Sequence, residues 1–269
     1  MRQKTPEEIR EMLRPVRCFL LDMDGTFYLG NRLIEGSLDF LEALRRTGRT
    51  ARFLTNNSSR SADSYTRKLA GMGVPEEYQD VITSAHAAAH ECQRRFPEGR
   101  CFLMGNPDLR EELTSMGLNL SDDHPDYVLL AFDTTLRYDR LCVCCDLIRA
   151  GLPYIATHPD FNCPTETGFI PDIGSFMALI EASTGRRPDL ILGKPYEGIV
   201  TEALNRTGFQ KREMAMVGDR LYTDVATGVR HGITGILVLS GEASLSDAET
   251  SDVTPDLIFD RLSSMIPYL

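Results

Sequence analysis

Short apolar runs bounded by turn residues alternate along this chain with stretches whose apolar positions recur every three or four residues. These are the marks of buried strands and amphipathic helices. Residues 16–21 read as a strand that ends at an acidic turn. Residues 37–46 read as a helix with Leu38, Leu41 and Leu44 on one side and Gly48 just past its end. A second strand is expected at 51–54, and a helix at 61–70 with Ser61 as its N-cap and Gly71 and Gly73 stopping it. The rhythm returns late in the chain, with strands at 190–192, 214–217, 233–239 and 257–259. Helices lie between them, one opened by Pro195 with Ile199, Val200, Ala203 and Leu204 inward, another at 221–230. A βαβα rhythm implies a parallel sheet covered by helices.

Between these halves lies a stretch with its own alternation. Strands are expected at 101–104, 127–131 and 154–156, and helices at 109–115, 138–149 and 175–184. The expected fold is therefore α/β. Residues 1–84 and 188–269 form a doubly wound, Rossmann-like parallel-sheet core, and residues 85–187 form a second α/β unit inserted into it.

Composition narrows the function. The chain has 269 residues, 42% of them hydrophobic, enough for a real core. Its formal charge of -10 argues against a nucleic-acid partner, whose binding leans on Lys and Arg contacts to phosphates. It leaves room for a local site that takes a small anion. The apolar runs 18–21 and 233–239 are far too short to span a membrane, and residues 1–14 are charged, unlike a secretory leader, so the cytoplasm is expected. Seven cysteines, an odd count, suit free thiols in a reducing compartment. Cys142, Cys144 and Cys145 share a helical pattern with Leu141, Val143 and Leu147 and have no His nearby. They read as small apolar residues rather than zinc ligands. A homo-oligomer stays compatible with the sequence.

Four motifs fall just past expected strands, where the carboxyl ends of an open parallel sheet form a ligand crevice. In Asp22-Met23-Asp24-Gly25-Thr26, one carboxylate can attack an electrophile while the other handles protons. Taken alone, the string also fits a turn. The further ligands of a calcium-binding loop are not found. Thr55-Asn56-Asn57-Ser58 offers a hydroxyl and backbone N–H groups to a phosphoryl group, or else caps the next helix. Gly193-Lys194-Pro195 aims a cation from a fixed backbone, though a single Lys is by default a surface residue. Gly218-Asp219-Arg220-Leu221-Tyr222-Thr223-Asp224 can supply a metal ligand and a supporting carboxylate, although Asp219 also suits an N-cap. All four together, in this order and each at a strand end, are hard to explain as separate accidents.

This set resembles the haloacid dehalogenase superfamily of phosphatases. The strings Phe53-Leu-Thr-Asn-Asn-Ser-Ser-Arg60, Gly193-Lys-Pro195, Met216-Val-Gly-Asp-Arg220 and Val238-Leu-Ser-Gly241 are similar to its NagD-like, p-nitrophenyl phosphatase branch, and the insert resembles that superfamily's C2 cap. The resemblance implies Mg²⁺-dependent hydrolysis of small phosphomonoesters, sugar phosphates or similar metabolites. Asp22 would be the nucleophile that forms an aspartyl-phosphate and Asp24 the acid and base. Thr55, Asn56 through its backbone N–H, and Lys194 would bind the phosphoryl group. Asp22, the Asp24 carbonyl and Asp219 would hold the metal, with Asp224 in support and Arg220 structural or else a phosphate contact. The chain departs from the branch at three places. Thr157-His158-Pro159-Asp160 stands for the usual Thr-Asn-Pro-Asp, Pro171-Asp172-Ile173-Gly174 for a Gly-rich turn, and Ala131-Phe132 for a Gly before Asp133. These bear on the substrate rather than the chemistry, and His158, Asp160 and Asp133 are candidate leaving-group contacts. Nucleotide, glycerol phosphate and pyridoxal phosphate phosphatases, and a phosphotransferase such as a mutase, stay open within the superfamily. A phospho-acceptor signalling receiver is a rival from another class, but Asp24 and the insert count against it. A binding protein that has lost catalysis is disfavoured because every motif residue is present.

Overall fold

The computed structural model describes residues 4–165 and 167–269, so residues 1–3 of the expected core and Glu166 of the expected insert lie outside the described residues. The chain divides into two compact units. One gathers the chain up to Thr55 with Tyr65–Ile82 and Ala203–Leu269, and the other Asn56–Ser64 with Thr83–Glu202.

The first unit is built on a six-stranded parallel sheet. Its order is Leu257–Phe259, Thr234–Val238, Met214–Gly218, Cys18–Leu21, Thr50–Thr55, Val81–Thr83. The strand Cys18–Leu21 sits inside the sheet, and the chain winds outward from it in both directions. Its two neighbours therefore come from opposite ends of the sequence, which makes this the switch point where open α/β sheets bind ligands. Register sets the height at which the loops leave the sheet. Leu21 pairs with Val217 on one side and with Phe53 on the other, so Asp22, Asp219 and Thr55 emerge at nearly one level. One face of the sheet is sealed by Leu13, Phe19, Phe40, Leu44, Phe53 and Met265, and edge-to-face packing of Phe19 on Phe40 and Phe27 on Phe53 locks the first strand.

The second unit has a five-stranded sheet ordered Leu190–Ile191, Tyr154–Ala156, Tyr127–Leu130, Arg100–Met104, Asn119–Leu120, again parallel throughout. The helices Tyr138–Arg149 and Ile173–Thr184 cover one face through Leu141, Cys144, Ile148, Ile173 and Ile180. Cys144 is a packing residue, as expected, and burial pushes its thiol up to about 12. An antiparallel hairpin, Asn162–Thr165 with Gly168–Pro171, extends from this unit with Phe169 exposed.

The α/β fold and its parallel sheets are those the pattern predicts, while two expected helices near the motifs start differently. The helix expected to open at Pro195 begins at Glu197 instead. The Lys194–Pro195 bond is cis, and a turn closed by Tyr196 N–H on the Gly193 carbonyl, at 2.8 Å, precedes the helix. The helix expected over 221–230 opens with a wide π-helical turn, Leu221–Val225, before the α-helix Ala226–His231. Such turns recur at functional sites, and this one carries Asp224.

Candidate active site

Within the first unit the strand ends bring three carboxylates together. Asp22, Asp219 and Asp224 each offer an oxygen, and these oxygens all lie within 4.8 Å of one another. Asp22 continues its strand, its N–H donating to the Val217 carbonyl at 2.9 Å. Asp219 follows the neighbouring strand. Its Oδ1 accepts from the Thr26 hydroxyl at 3.2 Å and its Oδ2 from the Glu242 N–H at 2.7 Å. Asp224 folds back on the π-helical turn, and its Oδ2 accepts from the Arg220 N–H at 3.1 Å. An all-oxygen set of this density suits a hard divalent cation, which would relieve the mutual repulsion of the acids.

Gly25 makes the approach possible. It sits at φ +86°, and a Cβ there would run into the Asp219 carboxylate. After it the chain turns back, Gly25 N–H donating to the Tyr28 carbonyl at 2.8 Å, and a short hairpin, Tyr28–Leu29 with Arg32–Leu33, comes next. Lys68 stacks its ammonium over the Tyr28 ring, 3.8 Å from the centroid.

The electrostatics are graded. Burial, and then the Asp224 charge, push Asp219 up to about 6, against the pull of the Glu242 N–H and Arg220. Asp24 has an exposed side chain, yet the protein crowding its carboxyl raises it above the ordinary carboxylate value; Lys68, the Gly30 N–H and Arg220 pull the other way. Burial alone would lower Arg220, but Asp22, Tyr222, Asp224 and Glu242 outweigh it and hold the guanidinium firmly charged. Arg220 Nε also pairs with Glu242 at 2.9 Å.

Thr55 closes its strand in the first unit, and the next residue, Asn56, opens the second. There Asn56 and Lys194 are clamped together. Asn56 Oδ1 accepts the Lys194 N–H at 2.7 Å, while Asn56 Nδ2 donates to the Lys194 carbonyl at 3.0 Å and to Asp160 Oδ2 at 3.0 Å. Lys194 is only 3% exposed, so the default reading as a surface lysine fails. Gly193 is obligatory beside it. A Cβ there would stand 2.6 Å from Asn56 Oδ1 and 2.8 Å from the Thr157 carbonyl.

Residues proposed for the leaving group are largely engaged elsewhere. Asp133 Oδ1 accepts from the N–H and hydroxyl of Thr135, both at 2.8 Å, in a local turn. His158 is fully buried, with both ring nitrogens in hydrogen bonds. Asp160 Oδ2 serves Asn56, and its Oδ1 is buried with no hydrogen bond.

Comparison with known proteins gives this arrangement its context. Residues 19–119 match the haloacid dehalogenase-like hydrolase family, and residues 191–265 match a HAD-hydrolase-like family. An acid sugar phosphatase of Staphylococcus aureus is 34% identical over 258 residues, covering 96% of this chain and 99% of that protein. The chain belongs to the haloacid dehalogenase-like hydrolases. It is a phosphatase of that family. A 4-nitrophenylphosphatase from Thermotoga maritima superposes with a TM-score of 0.91 at 48% identity, over 95% of this chain and 98% of that one. A glycerol phosphate phosphatase from Mycobacterium tuberculosis, solved in complex with calcium, gives 0.87 at 33% identity, over 94% of this chain and 76% of that one.

One part of this hydrolase's site carries no charged or metal-ligating side chain that would mark it in the sequence. The segment after the strand Thr234–Val238 reaches Asp219 through the Glu242 N–H, and Ser240 Oγ donates to the Gly25 carbonyl at 2.8 Å. The string Val238-Leu-Ser-Gly241 carries only resemblance in the sequence. Its place past a fourth strand end is the signal that could have given it a role.

Proposed function

We propose that this hydrolase cleaves small phosphomonoesters, sugar phosphates foremost, through an aspartyl-phosphate on Asp22 with Mg²⁺ as its resident cation. The observation that carries the reading is the convergence of Asp22, Asp219 and Asp224 at the switch point of the sheet. The Asp22 carboxylate attacks phosphorus, and the bond from phosphorus to the leaving oxygen breaks. Asp24 gives that oxygen a proton, a role its raised pKa supports. It then takes a proton from the water that cleaves the acyl phosphate, releasing inorganic phosphate and restoring Asp22. Thr55, the Asn56 N–H and Lys194 receive phosphoryl oxygens, Lys194 adding the positive charge that phosphoryl transfer needs. When bound by Asp22, Asp219 and the Asp24 carbonyl, with Asp224 beside them, Mg²⁺ supplies neutralisation of the repulsion between carboxylate and phosphate.

Residues 85–187 are proposed as the cap that selects the leaving group, since the motifs themselves address only the phosphoryl end. The name of the S. aureus relative supports a sugar phosphate, and seven free cysteines suit a cytoplasmic enzyme. The test is phosphate release across sugar phosphates, glycerol phosphate, nucleotides, pyridoxal phosphate and phosphopeptides, with and without Mg²⁺. Sugar phosphates should show the highest kcat/KM. A clear preference for phosphopeptides would overturn the small-substrate reading, and a preference for nucleotides the sugar assignment.

A further inference from the structure

Two of the places where the sequence departs from its branch, His158 and Asp172, meet inside the second unit. His158 Nε2 lies 3.0 Å from Asp172 Oδ1, and the side chains are 0% and 5% exposed. The contact is one link in a longer chain. His158 Nδ1 is 3.0 Å from Thr157 Oγ1, Thr157 Oγ1 is 3.1 Å from Ser58 Oγ, and Ser58 Oγ accepts the Phe132 N–H at 3.1 Å. Asp172 Oδ1 also accepts the Ile173 N–H at 2.6 Å, at the start of the helix Ile173–Thr184.

Counting donors gives this chain a consistent direction. Phe132 can only donate to Ser58, and the Ser58 hydroxyl finds an acceptor within the chain by giving its own proton to Thr157. Thr157 then donates to Nδ1, which leaves the imidazole proton on Nε2, facing the Asp172 carboxylate. With the proton on Nδ1 instead, both hydroxyls would reverse and the Ser58 proton would have no acceptor, while a bare Nε2 faced a carboxylate. The first arrangement gives each hydroxyl and the ring N–H an acceptor within the chain.

The chain ends on the residues that carry phosphoryl-binding groups. Ser58 lies two residues past Asn56, within the loop after Thr55. The Thr157 carbonyl and the His158 Cβ wall in Gly193, standing 2.8 and 2.6 Å from where its Cβ would be, and Lys194 is the next residue. His158 thus borders one loop sterically and reaches the other through Thr157. Those are the loops that Asn56 clamps to each other through Lys194 N and O.

We infer that the buried chain Asp172–His158–Thr157–Ser58 is a positioning device for phosphate recognition, setting where the Asn56 N–H and Lys194 are held. It rests on the phosphoryl-binding role proposed for Asn56 and Lys194. His158 and Asp172 touch no reacting atom; they act through the two loops. His158 stands where the branch has Asn and Asp172 lies in the stretch where the branch has a Gly-rich turn, so replacing His158 alone strands the buried Asp172 carboxylate, whereas replacing both removes that charge and gives up only the cap on the Ile173 N–H.

The test uses the intact protein with saturating Mg²⁺, p-nitrophenyl phosphate as substrate and inorganic phosphate as competing ligand. His158→Asn and Thr157→Val should each raise KM and the inhibition constant for phosphate about tenfold, with a smaller change in kcat. Adding Asp172→Gly to His158→Asn should bring both back to within about threefold of the parent. Thr157→Val keeps side-chain shape and carries the test if His158→Asn melts too low. Lys194→Met, measured alongside, separates the two levels of the argument. If Lys194→Met weakens phosphate but His158→Asn and Thr157→Val lower only the melting temperature, the pair is structural and the positioning role is wrong. If Lys194→Met itself leaves phosphate binding unchanged, the phosphoryl-binding reading falls and this inference with it.

Discussion

Asp22 and Asp24 are two residues apart and chemically alike, yet they stand in different surroundings. Asp22 is drawn into the carboxylate group with Asp219 and Asp224, while Asp24 stands outside it with its pKa raised. Asp22→Asn should therefore abolish turnover, by at least about a thousandfold, in a protein whose circular dichroism is unchanged. Residual activity near the parent level would show that another group attacks. With Asp219 as the proposed ligand, metal binding should have a pH limit. A ligand must be deprotonated to bind, and Asp219 is pushed up to about 6 before any metal arrives. Metal affinity should be nearly flat above pH 7 and weaken as pH falls through 6. Activation curves against Mg²⁺ at pH 7 and pH 5 should differ about tenfold in half-saturation, one proton's worth for a pH unit below the pKa. An unchanged half-saturation would place the ligand's titration elsewhere.

Among the elements, the turn after the first strand is the most exacting. Gly25→Ala meets two penalties, a left-handed φ of +86° and a Cβ driven against Asp219. The backbone strain alone is about 1–2 kcal/mol. The collision should also displace a metal ligand, so both melting temperature and Mg²⁺ affinity should drop; a fall in melting temperature alone would mean that Asp219 can move aside. The carboxylate motifs are legible in the sequence because the apolar runs ahead of them are. Strands such as Tyr154–Ala156 and Leu257–Phe259 match the expected limits. Other elements leave no trace in the pattern. Val81–Thr83 offers only two apolar residues before Thr83 caps the helix Ser84–Arg95, so no apolar run sets it apart. The hairpin Asn162–Thr165 with Gly168–Pro171 is exposed on nearly every residue, so no alternation marks it. The π-helical turn at Leu221–Val225 carries the same apolar spacing as the helix it precedes, so the pattern merges the two. At the site, the Glu242 contact is a backbone N–H and the His158–Asp172 pair joins positions 14 apart, so both become visible only in the fold.

At the scale of the molecule, the proposed cap and the carboxylate group predict separable behaviour. Exchanging residues 85–187 for the matching segment of a related phosphatase should reorder substrates by kcat/KM while leaving the metal requirement intact. Exhaustive EDTA treatment should silence parent and exchange alike, and Mg²⁺ should restore both. An unchanged substrate order would remove the selecting role from that segment. No helix among the described residues is long and apolar enough to cross a membrane.

The position of the strand Cys18–Leu21 has a further consequence, for how the chain is made. Its partner Met214–Gly218 comes almost two hundred residues later. A ribosome adding about 5–20 residues per second needs roughly 10–40 seconds to cover that distance. Through that interval the first strand has one of its two neighbours and presents an open edge of unpaired N–H and C=O groups. The long stretch Thr83–Glu202 of the second unit, meanwhile, is complete and free to collapse before the rest of the chain exists. Nascent chains halted near residue 205 should therefore show a protease-resistant fragment from that stretch and a cleavable N-terminal segment. Synthesis slowed late in the message should lengthen the window in which that edge meets its counterparts on neighbouring ribosomes.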